Sequence, residues 1–380
     1  MSGEIHRAIS RQLWAGLLSI FLSVPALVQA ATDNAAIMPL ARHSLLLDIT
    51  HAGERIITVG ERGHILYSDD QGSSWTQALV PTTQMLTAVH FANAQRGWAV
   101  GHDGLILVSD DGGINWRIQR DGIAAQHQSN LQAREQAHQL IKKLQLALAN
   151  ADEERQPSLE LALEDATMDL EDADLALTEA VFTSPLMDVW FKDDRRGWAV
   201  GAFGTLLATE NGGQSWEDQS QRLDNPDEFH LNAITGVDEG RIVVAGEGGM
   251  IFRSLDNGKN WQSIEPFYAG SWFGLLYNPK DQALLVYGLR GNLYRSTDFA
   301  DSWEALGIDN HATLAGGDLS ASGDIVLVGS VGTLLQSGDG GKSFNTSLLA
   351  DRLSLSSALF AGKQLILVGQ GGIRVRSNEQ

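Results

Sequence analysis

The stretch Gly101-His102-Asp103-Gly104-Leu105-Ile106-Leu107-Val108-Ser109-Asp110-Asp111-Gly112-Gly113-Ile114-Asn115-Trp116 decides the fold, because versions of it return along the chain. A Gly-x-x-Gly pair opens it, a hydroxyl residue stands five positions after the second glycine, and an aromatic follows seven positions later. The pairs are Gly60/Gly63, Gly101/Gly104, Gly201/Gly204, Gly246/Gly249, Gly288/Gly291, Gly329/Gly332 and Gly369/Gly372, at spacings of 41, 100, 45, 42, 41 and 40 residues. Self-similarity at such a period marks stacked repeat units. The runs flanking each pair, such as Arg55–Val59 and His64–Ser68, alternate in polarity and read as strands joined by a tight turn with positive φ. A unit of about 41 residues holds four short strands, and four-stranded units repeated radially make a propeller. The expected architecture is all-β: a closed seven-bladed β-propeller.

The hydroxyl-to-aromatic segment is a signature of its own. Ser68, Asp70, Gly72 and Trp75 fit Ser-x-Asp-x-Gly-x-x-Trp, the Asp-box, as do Ser109, Asp111, Gly113 and Trp116, and Ser254, Asp256, Gly258 and Trp261. The third copy has Asn211 for the acid before Trp216, the fifth has Ala300 for the glycine between Asp298 and Trp303, and the sixth, with Asp339, ends in Phe344. A carboxylate in such a turn accepts backbone N–H bonds and the glycine takes a left-handed conformation, so the motif reads as a folding device. The seventh unit runs out at Gln380 before an outer strand, and residues 35–44 have no blade of their own. They are expected to pair into the last blade as a closing strand.

One interval breaks the period. Residues 124–182 contain no Gly or Trp and are rich in Ala, Leu, Gln and Glu. Leu159, Leu163, Ala166, Leu170, Ala173, Leu177 and Ala180 recur at alternating steps of four and three, as do Ala133, Ala137, Leu140, Leu144 and Ala147. Both series are heptad seams, which predicts an inserted antiparallel α-helical hairpin with its turn over residues 150–156. Pro157 suits the first turn of the second helix. The insert carries 12 acidic and 4 basic residues, and Glu160, Glu164, Asp165, Asp169 and Asp172 lie on an arm with no nearby cation. By topology it leaves the ring on the face of the glycine turns. The candidate partner-binding surface is therefore this acidic row with the turn residues Glu61, Arg62, His102, Asp103, Phe203, Glu247 and Arg290.

The chain of 380 residues carries 27 basic and 47 acidic residues, net −20, and no Cys. Disulfides, thiolate metal sites and thiol nucleophiles are excluded, and an acidic chain repels the backbone of DNA or any other nucleic acid. His6, Arg7 and Arg11, an apolar run from Leu13 to Val28 and small residues at Val28 and Ala30 read as an export signal over residues 1–30. The expected organisation is that signal, blades one and two with the closing strand over 31–123, the hairpin over 124–182, and blades three to seven over 183–380. The destination is the periplasm if the source is Gram-negative. No metal motif or serine elbow is present, and Gly340-Gly341-Lys342-Ser343 lacks the earlier glycine of a phosphate loop. No catalytic, cofactor or metal residue is assigned. Many carboxylates leave a glycosidase pair as the competing reading.

Arg96-Gly97-Trp98-Ala99-Val100-Gly101 and Arg195-Arg196-Gly197-Trp198-Ala199-Val200-Gly201, each running into a glycine turn and an Asp-box, resemble the photosystem II stability/assembly factor family over residues 40–123 and 183–380. The resemblance implies a non-enzymatic assembly factor that binds a membrane protein or its periplasmic domain, with an arginine-rich patch of which Arg62 and Arg290 would be the remnants. The acidic charge and the helical insert depart from that pattern. The non-photosynthetic branch implies an accessory role beside a resistance-nodulation-division-type exporter. Sialidases also carry Asp-boxes, but their Phe/Tyr-Arg-Ile-Pro segment is missing here.

Overall fold

A computed structural model describes residues 34–377 apart from Glu239; the export signal expected over residues 1–30 lies outside them. Seven antiparallel sheets follow one another along the chain, six with four strands and the last, among the described residues, with three. Their innermost strands are Leu46–Ala52, Leu86–Phe91, Leu186–Phe191, Leu231–Gly236, Trp272–Asn278, Leu314–Leu319 and Leu355–Ala361. Each packs on the next, and the seventh returns to the first, so the wheel closes. The apolar residues do not form one central core. They form seven wedges, one between each pair of neighbouring blades, such as Ile57 and Val59 against Val89, Phe91 and Leu107.

The glycine pairs work differently from the sequence expectation. The first glycine is extended, with φ near −177° at Gly60 and −178° at Gly288, so it supplies no left-handed conformation. It is there because a Cβ would overlap the innermost strand of its own blade: Leu45 O at Gly60, Ser271 O at Gly288. Positive φ falls on the next-to-last turn residue and on the second glycine, at Arg62 (57°) and Gly63 (70°). In blades one, four and five a Cβ on the second glycine would overlap the segment crossing to the next blade, with Thr82 O at Gly63, Tyr268 O at Gly249 and Asn310 O at Gly291; at Gly104 and Gly204 it would meet the side chains of Arg120 and Asn225. One motif thus lets two backbones approach, one within the blade and one between blades.

That rule explains how the ring closes. Residues 35–44 do not add a strand to the seventh sheet. Ala35 N–H donates to Val80 O (2.9 Å) and Met38 N–H to Gln77 Oε1 (2.9 Å), so the segment first runs beside blade one. It then crosses Gly372, where Ile373 N–H donates to Arg42 O (2.9 Å). The N-terminal segment therefore replaces the missing crossover rather than the missing outer strand. Ala41, Leu46, Ile49, Leu359, Ile366 and Val368 fill the closing wedge, and Ser357 Oγ donates to Asp48 Oδ1 (3.1 Å) across it.

The insert forms helix α1 (Gly122–Leu148) and helix α2 (Gln156–Thr178), packed on each other. Asp121 caps α1 by accepting from Ala124 N–H (3.1 Å), and Pro157 sits in the first turn of α2. In α2 the seam runs through Leu163, Ala166, Leu170, Ala173 and Leu177. In α1 it runs through Asn130, Arg134, Ala137, Ile141, Leu144 and Leu148, leaving Ala133, Leu140 and Ala147 exposed. Two polar residues hold that phase: Asn130 Nδ2 donates to Ala176 O (3.1 Å), and Arg134 faces Asp174 at 4.0 Å. Ala180 lies beyond the end of α2. The hairpin meets the ring at the first turn of α1, beside the His102–Gly104 turn.

In every complete Asp-box the hydroxyl accepts the backbone N–H four residues on, as from Gly72 to Ser68 Oγ (2.8 Å), and donates to the acid. Asn211 keeps the same pattern, accepting from Thr209 Oγ1 (2.9 Å) and Ser215 N–H (3.0 Å). Ala300 holds φ 67° in place of the glycine, packed in one wedge with Val243. Elsewhere the glycine faces a longer side chain of the preceding blade, Ile57 at Gly113.

Two tests follow from this packing. Gly288→Ala should cost about 2–3 kcal/mol in urea unfolding, because the clash is with backbone. Gly307→Ala, with nothing within 4 Å of its Cβ, should stay within about 0.5 kcal/mol of the parent. His90 Nε2–H donates to Phe191 O (3.0 Å) in the next blade, and desolvation lowers its pKa to about 4 despite that bond. The folded state keeps the ring neutral while the unfolded chain takes up a proton below its ordinary 6.5. This contribution is therefore full above that value and lost as pH falls towards 4. Its size is about 2 kcal/mol after discounting for the ring's partly open face. His90→Gln should flatten the stability profile over that window; an unchanged slope would show that the imidazole does not drive it.

Candidate functional site

The seven glycine turns ring one face of the wheel, and the Asp-box turns occupy the other. The Asp-box acids are engaged in their turns: Asp339 Oδ1 accepts Ser343 N–H (3.0 Å) and Oδ2 the Ser343 hydroxyl (2.6 Å). Hydrogen bonds of this kind, led by the serine hydroxyl, hold Asp70 and Asp339 below the usual carboxylate range.

On the glycine-turn face the sequence-assigned residues divide. Glu61 Oε1 accepts Leu45 N–H (3.0 Å) and Glu247 Oε2 accepts His230 N–H (3.2 Å), so both acids satisfy the entry of an innermost strand. Asp103 sits at the root of α1, where its carbonyl leaves no room for a Cβ on Gly122. His102, Arg62, Phe203 and Arg290 are exposed, and the two arginines are carried by blades one and five, which are not neighbours. On the hairpin, Glu160, Glu164, Asp165, Asp169 and Asp172 are exposed and make no ion pair among the described residues.

The structure adds what the repeat did not reveal. Phe182, at the exit of the hairpin, packs edge-on against Phe203 (centroids 5.9 Å), and Phe203 packs against His230 (5.0 Å). Phe182 and Phe203 are nonetheless 68% and 49% exposed. Phe203 holds φ 54° and Val331, also exposed, φ 58°, positions where a glycine would relax the backbone. On α2 a second apolar stripe, Leu161, Met168 and Leu175, repeats every seven residues opposite the seam, 54–61% exposed and flanked by Glu164, Asp165, Glu171 and Asp172. On the opposite face a cleft of about 620 Å³ between blades three and four is lined by Arg195, Arg196, Arg222 and Lys259 with Asp193, Asp194 and Glu210. Arg196 is bound to Asp193 and Arg222 to Glu217, so the cleft is mixed in charge.

Among the described residues no helix is long and apolar enough to cross a membrane. The chain is similar to the photosystem II assembly lipoprotein Ycf48 of Synechococcus sp. (strain CC9902), 29% identical over 160 residues, covering 41% of this chain and 47% of the relative. It is also similar to the Ycf48 protein of Thermosynechococcus vestitus, 30% identical over 165 residues, 32% of this chain and 47% of the relative. The chain thus spans about half the length of the curated relatives it matches. In three dimensions it resembles a structure of YCF48 bound to a D1 peptide, with a TM-score of 0.59 at 16% identity, over 93% of this chain and 99% of that one. The WD40 propeller of Doa1 is similar at a TM-score of 0.58 and 11% identity, over 92% and 97%, so these likenesses speak for the propeller fold alone. The family profile described as "Photosynthesis system II assembly factor YCF48" matches residues 67–139 and 170–326, more than half of the sequence, and the chain belongs to that family.

Proposed function

We propose that this protein is an exported, non-catalytic assembly or accessory factor that docks a membrane protein complex through its glycine-turn face and the adjoining hairpin. The observation that carries the reading is the exposed aromatic run Phe182–Phe203–His230 at the hairpin root. Phe203 keeps a large apolar side chain half in solvent on a backbone that favours glycine, with ring contacts only at its edge to Phe182 and His230. The family supports an assembly role, and one structural relative holds a peptide of a membrane protein. The net charge of −20 and the acidic hairpin support a client other than a photosystem, and we assign it to the resistance-nodulation-division class of exporter, with the propeller in the periplasm. The acidic row and apolar stripe of α2 give that client a surface for a basic, amphipathic segment.

Phe203→Gly separates docking from folding. It relaxes the backbone but gives up the ring contacts with Phe182 and His230, so the unfolding free energy should stay within about 1 kcal/mol of the parent while capture of the client from detergent-solubilised membranes weakens. Loss of stability with undiminished capture would contradict the assignment. Replacing residues 124–182 by a short linker should preserve the far-ultraviolet β signature and the cooperative melt of the ring and reduce capture; full capture without the hairpin would remove it from the interface.

A further inference from the structure

The axis of the wheel holds a polar cavity of about 200 Å³ that the docking face does not use. One residue per blade faces it at the same register: Asp48, Ala88, Asp188, Ala233, Gly274, Gly316 and Ser357, paired with Val59, Val100, Val200, Ala245, Tyr287, Val328 and Val368. Six of the pairing residues are aliphatic or alanine and stay in the wedges. Tyr287 also packs in a wedge, with Leu293 and Leu314, but its ring lies where a side chain on Gly274 would be, which brings the phenol to the cavity. Tyr287 is 3% exposed, and its hydroxyl has no hydrogen-bond partner among the described residues.

The acids around it are held in place by backbone. Asp48 accepts from Ile49 N–H (2.8 Å) and Val89 N–H (2.9 Å), and Asp188 from Val189 N–H (2.8 Å) and Ile234 N–H (2.8 Å). Asp48 and Asp188 each clamp their blade to the next yet line the cavity and are only partly buried. No Lys or Arg lines the cavity. A polar cavity lined by two acids and no basic side chain takes up either protons or a cation.

We propose that the axial cavity is a binding site for one hydrated divalent cation of the Mg²⁺ type, held by Asp48 and Asp188 through its water shell and by the Tyr287 hydroxyl. Among the described residues no three His, Asp or Glu side chains stand close enough to chelate an ion directly, which favours an ion that keeps its waters.

Chelator-treated full-length protein at pH 8 is titrated with MgCl₂ at constant ionic strength, following calorimetric heats and Tm. One saturable site per chain is expected, with Tm rising as it fills. Tyr287→Phe keeps the ring over Gly274 and removes only the hydroxyl; it should weaken Kd about 5-fold. The double variant Asp48→Asn/Asp188→Asn should abolish the site; if it does not fold, Tyr287→Phe decides alone. The proposal is overturned by the absence of saturable binding, by binding that Tyr287→Phe leaves unchanged, or by binding lost when the acids of α2 are neutralised instead.

Discussion

The architecture depends on backbone meeting backbone at the glycine turns. In each blade the chain entering the innermost strand passes so close beneath the turn that no Cβ fits on the first glycine, and in blades one, four, five and seven a backbone carbonyl lies equally close to the second. These contacts fix the distance between second and innermost strands and the point at which the chain steps to the next wedge. Seven such steps bring Leu355–Ala361 back against Leu46–Ala52. The closing step uses the same contact, with Arg42 and His43 lying across Gly372 where a crossover lies elsewhere. A ring closed this way needs no shared sheet at its seam, because the wedge of Leu46, Ile49, Leu359 and Val368 supplies the burial.

The same geometry sets where function can sit. Most turn residues between the glycines face outward, though Ala202 is buried, and the second of each turn takes positive φ, so a non-glycine there is costly. Arginine and aspartate occupy some of these places, but Phe203 and Val331 are the costliest to hold and face solvent. The hairpin enters between blades two and three and delivers Phe182 to Phe203, making the one exposed aromatic cluster of that face among the described residues. The Asp-box face, by contrast, has its acids engaged in local turns.

Much of this was legible in the sequence because it is local and periodic. The glycine pairs, the Asp-boxes and the heptad of α2 each occupy a short window, and their spacing alone gives blade number, face and the entry point of the hairpin. What was not legible depends on neighbours distant in sequence. The α1 seam was misread because Ala and Leu populate two competing phases; Asn130 and Arg134, polar residues unremarkable in one dimension, settle it through Ala176 and Asp174. The closing segment was misassigned because a missing outer strand and a missing crossover leave the same gap in a repeat. Glu61 and Glu247 looked free because their backbone partners lie on another strand. The axial acids escaped notice because each is an ordinary polar position of an alternating strand until seven strands are brought around one axis.

The central claim is that clients meet this propeller on the glycine-turn face. Photo-crosslinking tests it most directly, with a photoreactive residue placed at position 203 on that face or at position 257 on the opposite one, beside the cleft between blades three and four. Each protein is mixed with detergent-solubilised membranes of the source cell and irradiated. The account predicts a discrete membrane-protein adduct from position 203 and none from position 257. An adduct formed only from position 257 would contradict it.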